Sequence, residues 1–435
     1  MNSLKMPTRR ATMLAAAGGL CAVALPAVAQ TKGPVEITYA TFCDPNDRND
    51  PRAAAQTKMI AAFEKDHPDI RIRIQVDTVQ QEAIRALRTG AETPDVFRFA
   101  NFSGPEFVAT GSVLPLDDLI KRDSFDMTDW LIPLDAARIG GKVYGLQQDF
   151  RIPILIYRKS LLAKAGVQPP RTWDEVCTAG GKLSALGNVI GYAVLLGNSG
   201  VGGAQALAEF MFSSMSTEDT GTYFATDGKA LAVSHAQLVR VLQTIKDLYG
   251  KCNATPLTSV QFGYNQVHDG LRAGSVAMAT FGLHRFAAIQ QGGAGDDLGW
   301  APPPAYTPDG KMSVYGFMVG INAHSKNTEA AWQFTKFMGG PQAQAIALEG
   351  REVVARASVY KSSPYLDTPD GQRQQEWSKL IRARGQFLHY AILQTPFNQL
   401  LGQAAQRMIL GGGTAEDAAR EIETNYQAAL ARAAQ

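Results

Sequence analysis

With 435 residues, 45% apolar and 19% charged, the chain is long and mixed enough for one large or two medium globular domains. That composition sets aside disordered and membrane-embedded classes, and a formal charge of +2 offers no basic field for nucleic acid or an anionic membrane. Three of its cations, Lys5, Arg9 and Arg10, lie in a leader expected to be removed, which takes the formal charge from +2 to −1.

The leader is read over Met1–Ala29: a basic start, an apolar stretch at Ala11–Val23, and a small-residue cleavage site, Ala27-Val28-Ala29, before Gln30. Thr8-Arg9-Arg10 carries a twin arginine, so export of an already folded chain is open, although Thr12 stands where a bulky apolar residue is usual. Cys21 is not read as a lipid anchor, because Leu20 precedes it where a small residue is required. The apolar stretch is short for a membrane anchor, and the expectation is a freely soluble, exported, periplasmic protein. Beyond the leader stand Cys43, Cys177 and Cys252. In an oxidising compartment they allow one bridge and one free thiol, and spacing does not choose the pair.

Val35–Ala40 alternates as a strand and runs into a loop, Thr41–Pro51, rich in Asp, Asn and Pro. A helix over Arg52–Lys65 turns Ile60 and Phe63 inward and is broken by His67-Pro68-Asp69. Ile70–Val76 is a period-two strand, Gln80–Thr89 a helix, and Asp95–Ala100 a third strand. This order predicts parallel pairing with right-handed crossovers. Ligands of such sheets sit at the carboxyl ends of the strands, which puts Thr41–Asp47, Asp77–Gln80 and Asn101–Ser103 on one rim.

The middle of the chain turns on Gly140–Glu175. A Gly-Gly turn opens a short strand at Val143–Leu146, a polar crossing follows at Gln147–Arg151, and Ile152–Tyr157 forms a second apolar run. Ser160–Ala165 is a short helix ended by Gly166; Thr172 then caps a new helix, with Glu175 completing a capping box. Two strands joined by a polar crossing, with no hairpin turn, describe a chain passing from one sheet to another. Helices follow at Thr172–Leu186, Ala204–Ser214 and Ala236–Tyr249, with a turn at Gly197–Gly203. Gly270–Ala279 contains a short strand. Strands are read at Leu298–Pro304 and Tyr315–Asn322, and a helix at Thr328–Met338.

GKVYGLQQD, LIYRKSLLAKAGVQPPRTWDE, FEKDHPDIRIRI, TPDVFRFA and GSVLPLDDLI stand in an order that resembles the extracellular solute-binding proteins of ABC importers, the sugar-binding, maltose-binding-protein-like group. Thr280–His284 resembles that family's AM…GPW segment, Ser325–Met338 its segment around a Lys-Asn pair and an aromatic helix, and GGGTAEDAAREI a C-terminal echo. Arg158 departs from the family, which has Asn between the Tyr and the Lys. The residues alone imply α/β and two domains. The resemblance adds a two-lobed periplasmic-binding-protein fold with discontinuous lobes, a cleft between them, and a hinge of three crossings near Leu146, Val314 and Gly350. The lobes would then be 30–146 with 314–349, and 147–313 with 350–435.

For catalysis the sequence offers little. No GxSxG, HExxH, Walker or dinucleotide fingerprint is present, and the six histidines are scattered. Asp44–Asp50 resembles a calcium loop but lacks the Gly and the final Glu. No cofactor, no metal and no enzymatic activity are expected. A carboxylate-dependent hydrolase would have to pair Asp149 with Asp44.

A receptor for sugars needs planar aromatics and groups able to make paired hydrogen bonds. Phe42, Asp44, Phe99, Asn101 and Phe102 stand at or beside strand ends, where the phenylalanines could equally be core. The resemblance turns Asp149 and Arg151 into the cleft, against the bland reading that they pair and brace the hinge. It sets His284 and Phe397 where the family stacks aromatics, Tyr315 with Gly316 at the second crossing, and Arg351 and Arg356 at the third. Cations at Arg151, His284 and Arg351 would favour a small sugar or polyol, or an anionic solute such as a sugar acid or glycerol phosphate. The implied function is capture of that small-molecule solute by lobe closure, as a monomer, and delivery to a membrane permease. A receptor that signals instead of feeding a transporter has the same sequence features, and nucleic acid is no partner.

Overall fold

Alternation makes Val35–Thr41 (β1) and Ile70–Val76 (β2) neighbours in a computed structural model of the chain, which describes residues 33–48, 50–76, 93–134, 138–197, 203–215, 223–225 and 230–433. The expected leader, the helix at 80–89, the rim segment 77–80 and most of the turn at 197–203 lie outside those residues. The other strands are Val96–Ala100 (β3), Leu146–Gln147 (β4), Pro153–Arg158 (β5), Met278–Gly282 (β6), Leu298–Ala301 (β7), Met312–Val314 (β8), Phe317–Ile321 (β9) and Gly385–Phe387 (β10).

Two sheets carry the two lobes. The first runs β2-β1-β3-β9-β4, with β1 parallel to β2 and β3, and β9 antiparallel to β3 and β4. The parallel pairing expected of the first three strands is therefore present. The strand read at Tyr315–Asn322 returns to this sheet as β9. The second sheet is β6-β5-β7, antiparallel throughout. Behind the first sheet, the helix Thr328–Met338 buries Trp332 and Phe334, and Phe334 meets Tyr39 of β1 edge-on at 5.1 Å. In the second lobe, helices Trp173–Ser184, Gly203–Ser213, His235–Tyr249, Gln394–Gly411 and Ala415–Ala433 share one apolar core.

The lobes are joined where three segments lie side by side. Arg151 and Tyr315 exchange backbone hydrogen bonds of 2.6 and 3.1 Å, the Phe150 N–H donates to the Val353 carbonyl at 2.7 Å, and the Ala355 N–H donates to the Gln148 carbonyl at 3.1 Å. Gly316 is needed at this junction, because a Cβ there would lie 2.0 Å from the Asp149 carbonyl oxygen. Short, hydrogen-bonded crossings of this kind are where lobe closure is absorbed.

Local expectations are refined in several places. Val143–Leu146 is not a strand: the Val143 N–H goes to Asp117 Oδ2 and its carbonyl to the Leu116 N–H, so only Leu146 and Gln147 pair with β9. Thr172 caps its helix as expected, accepting from the Glu175 N–H at 3.2 Å, but Glu175 reaches back to the Arg171 N–H instead of closing the box on Thr172. The strand expected within Gly270–Ala279 is β6, and much of that segment is the end of a helix, Tyr264–Ala273. Arg158 binds Asp297 at 2.6 Å and donates to the Leu271 and Arg272 carbonyls, so the residue that departs from the family closes that helix's carboxyl end. The disulfide joins Cys177 to Cys252, and Cys43 is a buried free thiol. Among the described residues no helix is long and apolar enough to cross a membrane.

Candidate functional site

The hinge is built around four buried ions. Arg98 enters from the middle of β3, Asp149 and Arg151 from the first crossing, and Glu352 from the third. Arg98 Nη2 lies 2.7 Å from Asp149 Oδ2 and 3.3 Å from Glu352 Oε1, while Arg151 Nη2 lies 3.0 Å from Asp149 Oδ2 and 2.8 Å from Glu352 Oε2. Asp149 Oδ1 also accepts from the Phe317 N–H at 2.8 Å. Burial works against the Asp149 carboxylate, yet the guanidiniums of Arg151 and Arg98 outweigh it and hold its pKa below the usual carboxylate range. At Glu352 burial wins, and its pKa is raised despite Arg151. Two guanidiniums face two carboxyl groups, so the cluster presents little net charge to a ligand.

Aromatic rings border this cluster on the cleft side. The half-buried Phe42, just after β1, packs on Phe317 at 4.8 Å, with the Arg98 guanidinium 4.5 Å above its ring. Phe102, just after β3, lies 6.0 Å from Tyr315 at the second crossing and 6.2 Å from Tyr390 of the second lobe. These three rings span the two lobes. His284 faces Tyr264, with Nε2 3.1 Å from the Tyr264 hydroxyl. Burial, helped by Arg151 and Arg285, pushes its pKa well below the ordinary histidine value, so it is a neutral imidazole.

The structure thus brings Phe42, Asn101, Phe102, Asp149, Arg151 and Tyr315 to the hinge, with His284 beside them, and gives Asp44, Arg351 and Phe397 other partners. Asn101 is buried at the second crossing: its N–H donates to the Gly316 carbonyl at 3.0 Å and its amide to Gln147 Oε1 at 3.0 Å. Asp44 accepts from both nitrogens of Asn46 and orders its own turn. Asp149, its partner in the hydrolase reading, is held by Arg98 and Arg151. Arg351 sits at a φ of 65° and pairs at 2.9 Å with Asp370, which Arg373 also binds. Phe397 is enclosed in the core of the second lobe by Phe212, Tyr223, Phe224 and Tyr426, and offers a ligand no face. Arg356 is buried rather than solvated, stacked over Trp130 at 3.8 Å.

Sequence reasoning missed Arg98, Glu352, Tyr390 and Glu209. Arg98 left a signal, a charge within the otherwise apolar VFRFA of a central strand. Glu352 and Tyr390 left none, since they stand in irregular segments. Glu209 lies on the inward face of its helix, with its carboxyl bound by Gln205 at 2.8 Å and Gln394 at 3.4 Å, and burial lifts its pKa to about 7.

Residues 47–345 match the family described as bacterial extracellular solute-binding protein. The arabinooligosaccharide-binding protein of Bacillus subtilis is 25% identical over 330 residues, covering 71% of this chain and 70% of that protein. The GacH receptor of Streptomyces glaucescens, solved unliganded and with acarbose, superposes with a TM-score of 0.74 at 22% identity, covering 92% of this chain and 99% of that one. An ABC transporter solute-binding protein of Agrobacterium radiobacter, solved with ribitol, gives 0.67 at 19% identity, covering 90% and 98%. At such identities the solved structures share the fold.

Proposed function

The chain belongs to the bacterial extracellular solute-binding protein family, and on that premise we propose that it is the substrate-binding component of an ABC importer for a small, uncharged carbohydrate-type solute. The relatives are an arabinooligosaccharide-binding protein and receptors solved with acarbose and with ribitol, which supports a carbohydrate-type ligand. The observation that carries the reading is the neutral hinge. Arg151 is matched by Asp149 and Glu352, His284 is uncharged, and Arg351 shares Asp370 with Arg373. Arg151 and His284, two of the three residues that would have favoured a sugar acid or a phosphate, therefore bring no free charge to the cleft, while Phe102, Tyr315 and Tyr390 offer ring faces to a sugar or polyol.

In this reading the exported, monomeric protein works in the periplasm. Its lobes, 30–146 with 314–349 and 147–313 with 350–435, close on the solute, and the closed form docks on a membrane permease. Closure is a population shift driven by contacts that exist only when both lobes meet. We assign it no reaction. A thermal-shift screen of the chain from Gln30 onward tests this, with neutral sugars, polyols, sugar acids and glycerol phosphate as the panel. A raised midpoint with a neutral sugar or polyol is the expected result. A rise confined to the anions would transfer the assignment to them.

A further inference from the structure

The second lobe carries a group of polar atoms that its own packing does not satisfy. The Tyr223 and Tyr390 hydroxyls, Gln394 Oε1 and Asn398 Oδ1 are buried and have no hydrogen-bond partner among the described residues. They are neighbours. Gln394 donates to Glu209, Asn398 stands one turn further along the same helix, and both phenols lie close enough to Glu209 for its charge to act on them. Tyr390 in turn reaches Phe102 of the first lobe, so the group borders the cleft. Packed cores rarely leave several buried polar atoms unmatched in one place, and binding sites often do.

Resting on the reading above, we infer that Glu209, Gln394, Asn398 and Tyr390 form the hydrogen-bonding floor of a second-lobe subsite. It takes the hydroxyls of an uncharged polyhydroxylated ligand and turns away carboxylates and phosphates. The chemistry follows from the donor and acceptor inventory. A ligand hydroxyl both donates and accepts, which suits a site holding two amide oxygens, a carboxyl group and phenols. An anionic group can accept from the phenol hydroxyls, but it meets two amide oxygens and Glu209, whose carboxylate repels it once ionised. Among the described residues the groups that bind Glu209 are amides, with no cation.

The test is isothermal titration of the exported chain with ribitol, D-mannitol, maltose, gluconate and glycerol 3-phosphate, using wild type, Glu209→Gln and Tyr390→Phe. Both substitutions keep shape, and Glu209→Gln removes a buried acid, so folding is preserved and is checked by the unfolding midpoint. The expected result is wild-type binding of a neutral member, weakened about tenfold or more in each variant. A smaller gap between neutral and anionic members in Glu209→Gln is expected as well. Neutral binding that both variants keep within about twofold overturns the subsite and leaves the receptor function standing. Binding of gluconate or glycerol 3-phosphate alone overturns the ligand class and the subsite together, and silence with every neutral member counts against both.

Discussion

Arg98 illustrates how one side chain can organise a junction. It sits inside a strand buried along its whole length, where an isolated charge would be prohibitive, and it is tolerated because Asp149 and Glu352 come to it from two different crossings. Removing one partner leaves the rest uncompensated. Asp149→Asn is expected to lower stability by about 3–5 kcal/mol, read as a shift of the urea midpoint; a loss under about 1 kcal/mol would show that the ions behave as a surface pair. Glu209 gives the opposite sign. Its pKa rises from 4.5 unfolded to about 7 folded, so between those values the folded state binds more protons and stability falls as pH rises. The groups facing it are the phenols of Tyr223, Tyr315 and Tyr390 and the amides of Gln205 and Gln394. Glu209→Gln should match wild type near pH 4.5 and exceed it by about 3 kcal/mol at about pH 8. Parallel stability curves across that range would refute the shift. At this scale Arg98 was legible, since a charge interrupts an apolar strand. Its partners were not, because they come from distant, irregular segments.

Elements were read well where a periodic pattern met a stop signal. The helix at Pro51–Asp66, capped by Asp50 and ended at His67, lies within a residue of the expected Arg52–Lys65. Gly166, at a φ of 65°, ends its helix as the sequence requires. The failures came where backbone groups found partners outside the element, as at Val143, whose hydrogen bonds go to Asp117 and Leu116. The crossings depend on backbone contact, and Gly316 is their tightest point. In Gly316→Ala the new methyl would meet the Asp149 carbonyl oxygen at 2.0 Å, backbone that cannot swing aside, as well as Gln147 Nε2 at 2.5 Å. It should cost about 1–3 kcal/mol or more and weaken ligand binding, since the hinge strands must separate to admit it. Unchanged stability and affinity in that variant would mean that the crossings are looser than this structure has them.

At the scale of the whole molecule, two lobes joined by three short crossings make closure the expected response to a ligand. Small-angle scattering should show a smaller radius of gyration when a panel ligand saturates the protein. The same ligand at about 100 times its dissociation constant should add about 2.7 kcal/mol of stability. Binding with no change in radius would mean that the lobes are already closed without ligand. By itself, the sequence determined the α/β class, the strands and helices that a clear periodic pattern marks, and the point at which the chain leaves its first sheet. All of these follow from short-range periodicity, caps and turns. Family likeness to known solute receptors was also legible there, in motifs spread along the chain. The Cys177–Cys252 pairing, the neutral ion cluster, the enclosure of Phe397 and the unmatched polar group around Glu209 were decided only by the tertiary structure. Each joins residues far apart in the chain, and charge balance, burial and hydrogen-bond satisfaction depend on which distant neighbours arrive, which no local pattern encodes.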